Sequence, residues 1–196
     1  LKYFNEDYLK KVVTELRLKQ GEKIDKISQI LAKEEMEFMK EEKYMVFASK
    51  KSQYNLDEDV ELLMDIKNVK RVVMKVFEIN TANYCRDMKS NVQDNIKLDG
   101  LVSISEQVFA FEHGAIVSHR ERFTFEQLKA KKRGVFVIDF FGDGISSRAI
   151  IRKGHLNFIY KKTRLGYNCK ILDERMAVCR GEDTGLYFES KFYPAN

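Results

Sequence analysis

The chain has 196 residues, of which 44% are hydrophobic and 12% aromatic, so it can bury the core of one medium-sized domain with appendages. Its formal net charge is +5, but acidic and basic residues are mixed along the whole sequence, which argues against a dedicated nucleic-acid-binding protein. No apolar run is long enough to span a bilayer, and no secretory leader opens the sequence. Because the first residue is Leu1 rather than Met, we expect a piece of a longer protein, and the presence of a signal peptide upstream stays open.

The first 43 residues are predicted to be helical. Apolar residues recur every three or four positions from Tyr8 to Leu16, Asn5 is a suitable N-cap, and Gly21 is expected to end the helix. A second amphipathic stretch follows, and together the two predict a helical hairpin, or else the end of a preceding segment. The apolar side of this second stretch consists of Ile24, Ile27, Ile30, Leu31, Met36, Phe38 and Met39.

From about Tyr44 the sequence changes to short alternating apolar runs between polar turns, which is typical of antiparallel β-structure. The predicted strands are 60–66, 72–79, 107–111, 121–125, 135–141 and 146–152. We expect 107–111 and 121–125 to pair around Gly114, with a polar stretch at 87–99 before them. Residues 142–144, Gly-Asp-Gly, predict a tight hairpin turn.

Two more hairpins are predicted between residues 156 and 193, where a further β-module is expected to start. The chain is therefore divided into a helical segment (1–43), a β-sandwich (44–154) and β-hairpins (155–196). The predicted core residues of the sandwich are Leu62, Met64, Val76, Phe77, Phe123, Val135, Val137 and Ile150.

The apolar runs at 60–69 and 73–81, followed by those at 133–138 and 147–154, resemble in order and turn residues the macroglobulin-like domains of the α2-macroglobulin superfamily. The resemblance covers residues 44–153. It implies a seven-stranded, immunoglobulin-like antiparallel β-sandwich with a scaffold role in a longer multi-domain chain. It does not imply protease trapping, because the nearest match to the family's Cys-Gly-Glu-Gln thioester is the unrelated string Cys-Arg-Gly-Glu-Asp at 179–183.

No group of residues has the spacing of a catalytic, cofactor-binding or metal-binding site, so we expect no cofactor and no enzymatic activity. His113, His119 and His155 lack a His or Cys partner at ligand spacing and are expected to be ordinary surface or edge residues. The acidic run 57–59 is a weaker alternative for calcium. Three sparse cysteines, Cys85, Cys169 and Cys179, together with the absence of a glycosylation site, favour reduced thiols in a cytoplasmic protein.

The sequence thus predicts a non-enzymatic structural or protein-interaction module, whose partners are other domains of the parent chain or another protein. Alternatives are part of a macroglobulin-like protease inhibitor or defence protein, an accessory domain of a hydrolase, and a nucleic-acid-binding module. Nucleic acid is the less favoured partner, because the basic runs are also typical of solvated turns and edges. The possible interaction surface consists of Lys129, Lys131, Lys132, Arg133, Lys161, Lys162 and Arg164.

Overall fold

Two β-sheets packed face to face form the centre of the computed structural model, which describes residues 5–25, 27–49, 51–130, 133–179, 181–188 and 191–195. Its helices are α1 (Glu6–Lys19), α2 (Lys33–Glu41), α3 (Thr81–Met88) and α4 (Glu126–Lys129), and a 3₁₀ turn spans Ile27–Gln29. Its strands are β1 (Tyr44–Phe47), β2 (Gln53–Tyr54), β3 (Glu61–Lys67), β4 (Arg71–Ile79), β5 (Ser105–Ala110), β6 (Ser118–Thr124), β7 (Gly134–Gly142), β8 (Ile145–Lys153), β9 (Asn157–Thr163), β10 (Gly166–Leu172), β11 (Gly181–Phe188) and β12 (Lys191–Ala195).

One sheet has the strand order β1-β3-β6 and the other β2-β8-β7-β4-β5. All of these strands pair in the antiparallel sense except the short β2, which pairs parallel with β8. The predicted fold class, a mainly β, immunoglobulin-like sandwich preceded by helices, is confirmed. Among the described strands, eight rather than the implied seven form the two sheets, because the short β2 adds to the edge of β8. The predicted turn at 142–144 is also confirmed, because Asp143 and Gly144 have φ values of 45° and 85° between β7 and β8.

The predicted hairpin around Gly114 is wrong. β5 pairs with β4 and β6 pairs with β3, so the two strands lie in different sheets and the chain crosses the open side of the sandwich between them. Both strands point apolar residues into the same interior, each from its own sheet. Two strands of this kind show the same alternation of apolar and polar residues as the two strands of a hairpin, so the sequence does not distinguish the two arrangements. The rings of Phe109 and Phe123 meet there at 5.0 Å.

The interior between the sheets contains four of the predicted core residues, Leu62, Met64, Val76 and Phe123, all at most 3% exposed. Phe140 of β7 lies at its centre, with the Phe123 ring 4.8 Å away. Because successive side chains of a strand point to opposite faces, only one face of β4 and one face of β7 contribute side chains to this core.

The other face of β4, β7 and β8 is covered by α3 and the loop that follows it. Phe77, Val137 and Ile150, which the sequence assigns to the sandwich core, are buried in this second cluster, and Val135 is partly buried beside them. The predicted polar stretch 87–99 therefore has a structural role, since its Val92 and Ile96 are 4% and 5% exposed. Two isolated apolar residues among charged ones carry no recognisable period, so their burial was not predicted.

Two arginines of β8 hold this loop against the sheet. Arg148 forms a two-pronged ion pair with Asp139 of β7, with N–O distances of 2.5 and 2.8 Å, and also donates to the carbonyl oxygens of Asp94 and Ile96. Arg152 donates to the carbonyl oxygen of Val92 at 2.7 Å. Planar guanidinium groups satisfy the carboxylate and the loop backbone at once, so the loop is fixed without strand pairing.

The helical segment packs at the end of the sandwich where β3 terminates. Asn5 caps α1 as predicted, accepting a hydrogen bond from the backbone of Asp7, and Gly21 follows the helix with φ 85°. The second stretch forms the 3₁₀ turn and α2 rather than one helix, and its Phe38 is 68% exposed. The segment is joined to the sandwich by the ion pair of Glu42 with the buried Lys67 of β3. None of the helices within the described ranges is long and apolar enough to cross a membrane.

The junction between the sandwich and β9–β10 is organised by Glu174. Its carboxylate accepts hydrogen bonds from the backbone N–H of His155, at 2.7 Å, and from the guanidinium of Arg133 just before β7. Partial burial opposes ionisation of this carboxyl, but the two hydrogen bonds outweigh it and lower its pKa to about 2. The domain boundaries predicted at 43/44 and 154/155 stay predictions.

We expect the substitution Val137→Asp to unfold the sandwich, because it buries an unpaired carboxylate at a position that is 0% exposed. The cost is of the order of several kcal/mol, a large part of the stability of a domain. The matched control is Val46→Asp, which introduces the same group at a 53% exposed position of edge strand β1. Circular dichroism and urea unfolding would show loss of the cooperative transition in the first variant only; a cooperative Val137→Asp protein would contradict the assigned strand phase.

The lowered pKa of Glu174 predicts a pH-dependent stability. The contribution of the ionised carboxylate is fully present above its ordinary pKa of 4.5 and is lost as the pH falls towards 2, since the unfolded chain binds the proton first. Between about pH 5.5 and about pH 3, the urea midpoint should therefore fall less in Glu174→Gln than in the wild type. Glu37→Gln, at an exposed position of α2, should retain the wild-type slope; equal slopes in all three proteins would argue against the junction described above.

Candidate interaction surface

Beyond the sandwich, β9 and β10 form an antiparallel two-stranded ribbon. The strands are joined at Arg164 and Leu165, and the Leu165 side chain is fully exposed. Among the described residues, neither strand pairs with any named strand other than its neighbour. The outer edge of β10 is bonded only at its base, where the N–H of Cys179 donates to the carbonyl oxygen of Ile171, so most of both outer edges presents free backbone groups. A two-stranded ribbon is marginally stable alone, which makes the contacts of its two faces decisive.

One face of the ribbon is aromatic. Cross-strand register places Phe158 opposite Ile171, Tyr160 opposite Cys169, and Lys162 opposite Tyr167, and directly opposed residues point to the same side. The aromatic face, defined as Phe158, Tyr160 and Tyr167, has exposed fractions of 46%, 62% and 65%. The Phe158 and Tyr160 rings stack at 5.7 Å, and Tyr160 meets Tyr167 edge-on at 6.0 Å. Three adjoining exposed aromatic side chains are unusual on a solvated surface and typical of a contact site.

The opposite face is basic and polar. There Ile159 faces Lys170, and Lys161 faces Asn168 across the ribbon. Lys161 and Lys162, adjacent in sequence, therefore point to opposite sides, because successive side chains of a strand alternate. At the sandwich end of the ribbon, Leu172 is 5% exposed, so the ribbon is anchored at its base and open towards its tip.

The two described cations of the first predicted basic run are paired within the molecule. Lys129 lies 2.9 Å from Glu126 and 3.6 Å from Asp59, and Arg133 pairs with Glu174. Lys131 and Lys132 lie outside the described residues. The assignment of this run as an interaction surface stays a prediction.

The second predicted basic run lies on the ribbon. Lys161, Lys162 and Arg164 are exposed, and within the described part of the chain the structure records no ion pair for them. They differ in this from Lys129 and Arg133 and are free to meet an acidic partner. The sequence analysis identified these cations but missed the aromatic face beside them. The feature that could have revealed this face is the spacing of Phe158 and Tyr160, which lie two residues apart in a short predicted strand and so point to the same side.

Several polar side chains of the sandwich are engaged in structural contacts. Ser147 donates to the carbonyl oxygen of Met45, and Asp139 is paired with Arg148. In the acidic run 57–59, Glu58 pairs with Lys51. Of the histidines, His155 and His113 are exposed and His119 lies on edge strand β6; the rings of His113 and His119 are in contact, with their centres 3.9 Å apart.

Comparison with known proteins agrees with this architecture. Residues 72–154, from β4 to the end of β8, match the family model described as the first immunoglobulin-like domain of AbpF. Actin-binding protein F of Dictyostelium discoideum is 33% identical over 206 residues, which cover 99% of this chain and 8% of that protein. The chain thus spans less than a tenth of the length of this curated relative.

Two solved structures of native alpha-2-macroglobulin from Escherichia coli are also similar. The one spanning domains NIE-MG1 has a TM-score of 0.47 at 14% identity and covers 77% of this chain and 80% of its own. The one spanning MG0-NIE-MG1 has a TM-score of 0.44 at 11% identity and covers 71% and 48%. By the family model, residues 72–154 are similar to the first immunoglobulin-like domain of AbpF.

Proposed function

We propose that the chain is a non-enzymatic interaction module of a longer multi-domain protein, and that the aromatic face of its ribbon docks on a neighbouring β-rich domain of that protein. The observation that carries the proposal is the exposure of Phe158, Tyr160 and Tyr167 on one side of a strand pair. The match to an immunoglobulin-like family model supports the general role, since such domains are commonly used for contact rather than catalysis.

The energetics favour an occupied aromatic face. Covering three half-exposed aromatic side chains removes a few hundred Å² of largely apolar surface from water, which contributes of the order of several kcal/mol. The same contact stabilises a ribbon that two strands alone hold only marginally. Tyr and Phe are also the residues that most often anchor protein contacts.

A domain of the same polypeptide is the occupant that the observations favour. Because Glu174 fixes the ribbon to the sandwich, the aromatic face has a defined orientation relative to the sandwich. The outer edge of β9, which pairs with no further described strand, suits the addition of a strand from another β-domain. The curated relative is more than ten times longer than the matched region, which supports a multi-domain context.

A cytoplasmic location is part of this proposal. All three cysteines, Cys85, Cys169 and Cys179, are free thiols in the structure, as reducing conditions would keep them. Exposed Cys169 lies opposite Tyr160 at the aromatic face, where docking would also shield it. The similarity to an actin-binding protein supports the same location.

We expect replacement of Phe158, Tyr160 and Tyr167 by Ser to release the ribbon in the longer protein. Amide hydrogen exchange of β9 and β10 should then accelerate at least about tenfold, because the docked state loses its apolar contact. The matched control replaces Lys161, Asn168 and Lys170 by Ser on the opposite face and should leave exchange within about twofold of wild type. Equal acceleration in both triple variants, or none in either, would refute docking through the aromatic face.

A second candidate function is contact with actin filaments, favoured by the name of the relative and by the ribbon cations, which form no ion pair with any described residue. Co-sedimentation of the chain with filaments should be salt-sensitive and should be lost when Lys161, Lys162 and Arg164 are changed to Glu, since attraction to an acidic surface becomes repulsion. The control changes the exposed Lys23, Lys33 and Lys40 of the helical segment to Glu and should retain binding. Failure of the wild-type chain to co-sediment would contradict this candidate alone.

A further inference from the structure

A cluster of potential ligands lies where the chain crosses from β5 to β6. His113 lies in the crossing loop, and His119 and Glu121 lie two residues apart on β6, an edge strand of its sheet. Register places His119 opposite Ile66 and Glu121 opposite Met64 of β3, both 0% exposed. Since opposed residues share a face, the imidazole and the carboxylate point towards the interior side of the sandwich, where an apolar residue is expected.

His119 lacks the hydrogen-bond partners that a buried histidine usually has. Its side chain is only 11% exposed, packed between the rings of Phe111 at 4.9 Å and His113 at 3.9 Å. Both ring nitrogens are buried, and neither has a hydrogen-bond partner among the described residues. A buried imidazole usually satisfies at least one nitrogen, so the missing partner requires an explanation.

Ionisation of His119 does not supply that explanation. Burial, with a smaller contribution from the neighbouring His113, lowers the pKa of His119 below its ordinary value of 6.5. The nearest carboxylate oxygen, of Glu121, is 3.9 Å from Nε2, too far for a hydrogen bond.

We propose that His113, His119 and Glu121 form a binding site for a divalent transition-metal ion, with Zn²⁺ as the ion that the donor set fits best. One donor atom from each residue can be chosen so that all three lie within 4.8 Å of one another. Around tetrahedral zinc, with bonds of about 2.0–2.2 Å, donors lie about 3.4 Å apart. The donor atoms must approach by up to about 1.4 Å, and the exposed His113 on its loop can supply this movement.

Two imidazoles and one carboxylate are a common ligand set for zinc with a fourth position left for water. The carboxylate neutralises part of the ion's charge, and the ion takes up a buried nitrogen of His119 that otherwise has no partner. Coordination would also tie the crossing loop to the edge of β6, so the ion would stabilise the connection between the two sheets.

A competing explanation is protection of an edge strand. Inward-pointing charged residues discourage edge-to-edge aggregation, and Glu121 alone serves that purpose. Edge protection does not account for the contact of His113 with His119 or for the unpartnered ring nitrogens of His119. The neighbouring Arg120 and Arg122 do not compete for the site, because they pair with Asp65 and Glu61 on the other face of the sheet.

The test is a titration of the purified chain with ZnCl₂, followed by calorimetry, in a background where Cys85, Cys169 and Cys179 are Ser so that thiols do not bind the metal. One equivalent should bind with a Kd in the micromolar range or below, and Co²⁺ in its place should give the visible absorption of a low-symmetry site. His113→Ala, at an exposed position, should weaken binding at least about tenfold without unfolding the protein, and Glu121→Gln should do the same.

His155→Ala is the matched control, since this exposed histidine lies outside the cluster. It should bind zinc as the background protein does. Absence of saturable binding in the background protein would overturn the proposal. So would zinc affinity that is unchanged in both His113→Ala and Glu121→Gln, or that is lost in His155→Ala.

Discussion

Burial of β7 on both faces is the constraint on which the rest of the structure depends. One face, with Phe136, Ile138 and Phe140, closes the sandwich interior, and the other, with Val137, is covered by the loop after α3. A strand buried on both sides carries a continuous apolar run, which is why the sequence identifies it most clearly. Its one buried acid, Asp139, is tolerable because Arg148 neutralises it.

This constraint determines which surfaces stay free. The outer face of the five-stranded sheet, which in a simpler sandwich could meet a partner, is occupied at its β8 side by the loop that Arg148 and Arg152 hold. The helical segment lies at the end of β3, where Glu42 pairs with Lys67. Exposed apolar residues remain on several elements, the helical segment among them, and the ribbon differs from these in that three exposed aromatic rings adjoin on one face.

The sequence was sufficient for the sandwich strands and for the hairpin turn at Asp143, because period-two alternation and left-handed turn residues are local signals. It failed at Gly114, since local alternation does not tell whether two strands face each other in one sheet or across two. It also missed Val92 and Ile96, whose burial depends on arginines more than fifty residues away. Those partners are visible only once β8 is placed.

For the candidate sites the same limit applies. The sequence located Lys161, Lys162 and Arg164 but assigned them one surface together with Lys129 and Arg133, whereas ion pairing separates the two groups. His113 and His119 lie six residues apart with no ligand motif, and only the crossing between sheets brings their rings together. Contacts that form only where the chain passes from one sheet to the other could therefore not be predicted from the sequence.

We propose that the aromatic face of the ribbon is where the module contacts a neighbouring domain. Hydroxyl-radical footprinting of the longer protein, read by mass spectrometry against the isolated chain, tests it most directly. We predict that Phe158, Tyr160 and Tyr167 are protected in the longer protein while Phe38 of α2, 68% exposed, reacts equally in both. Equal reactivity of the three ribbon aromatics in the two proteins would contradict the account.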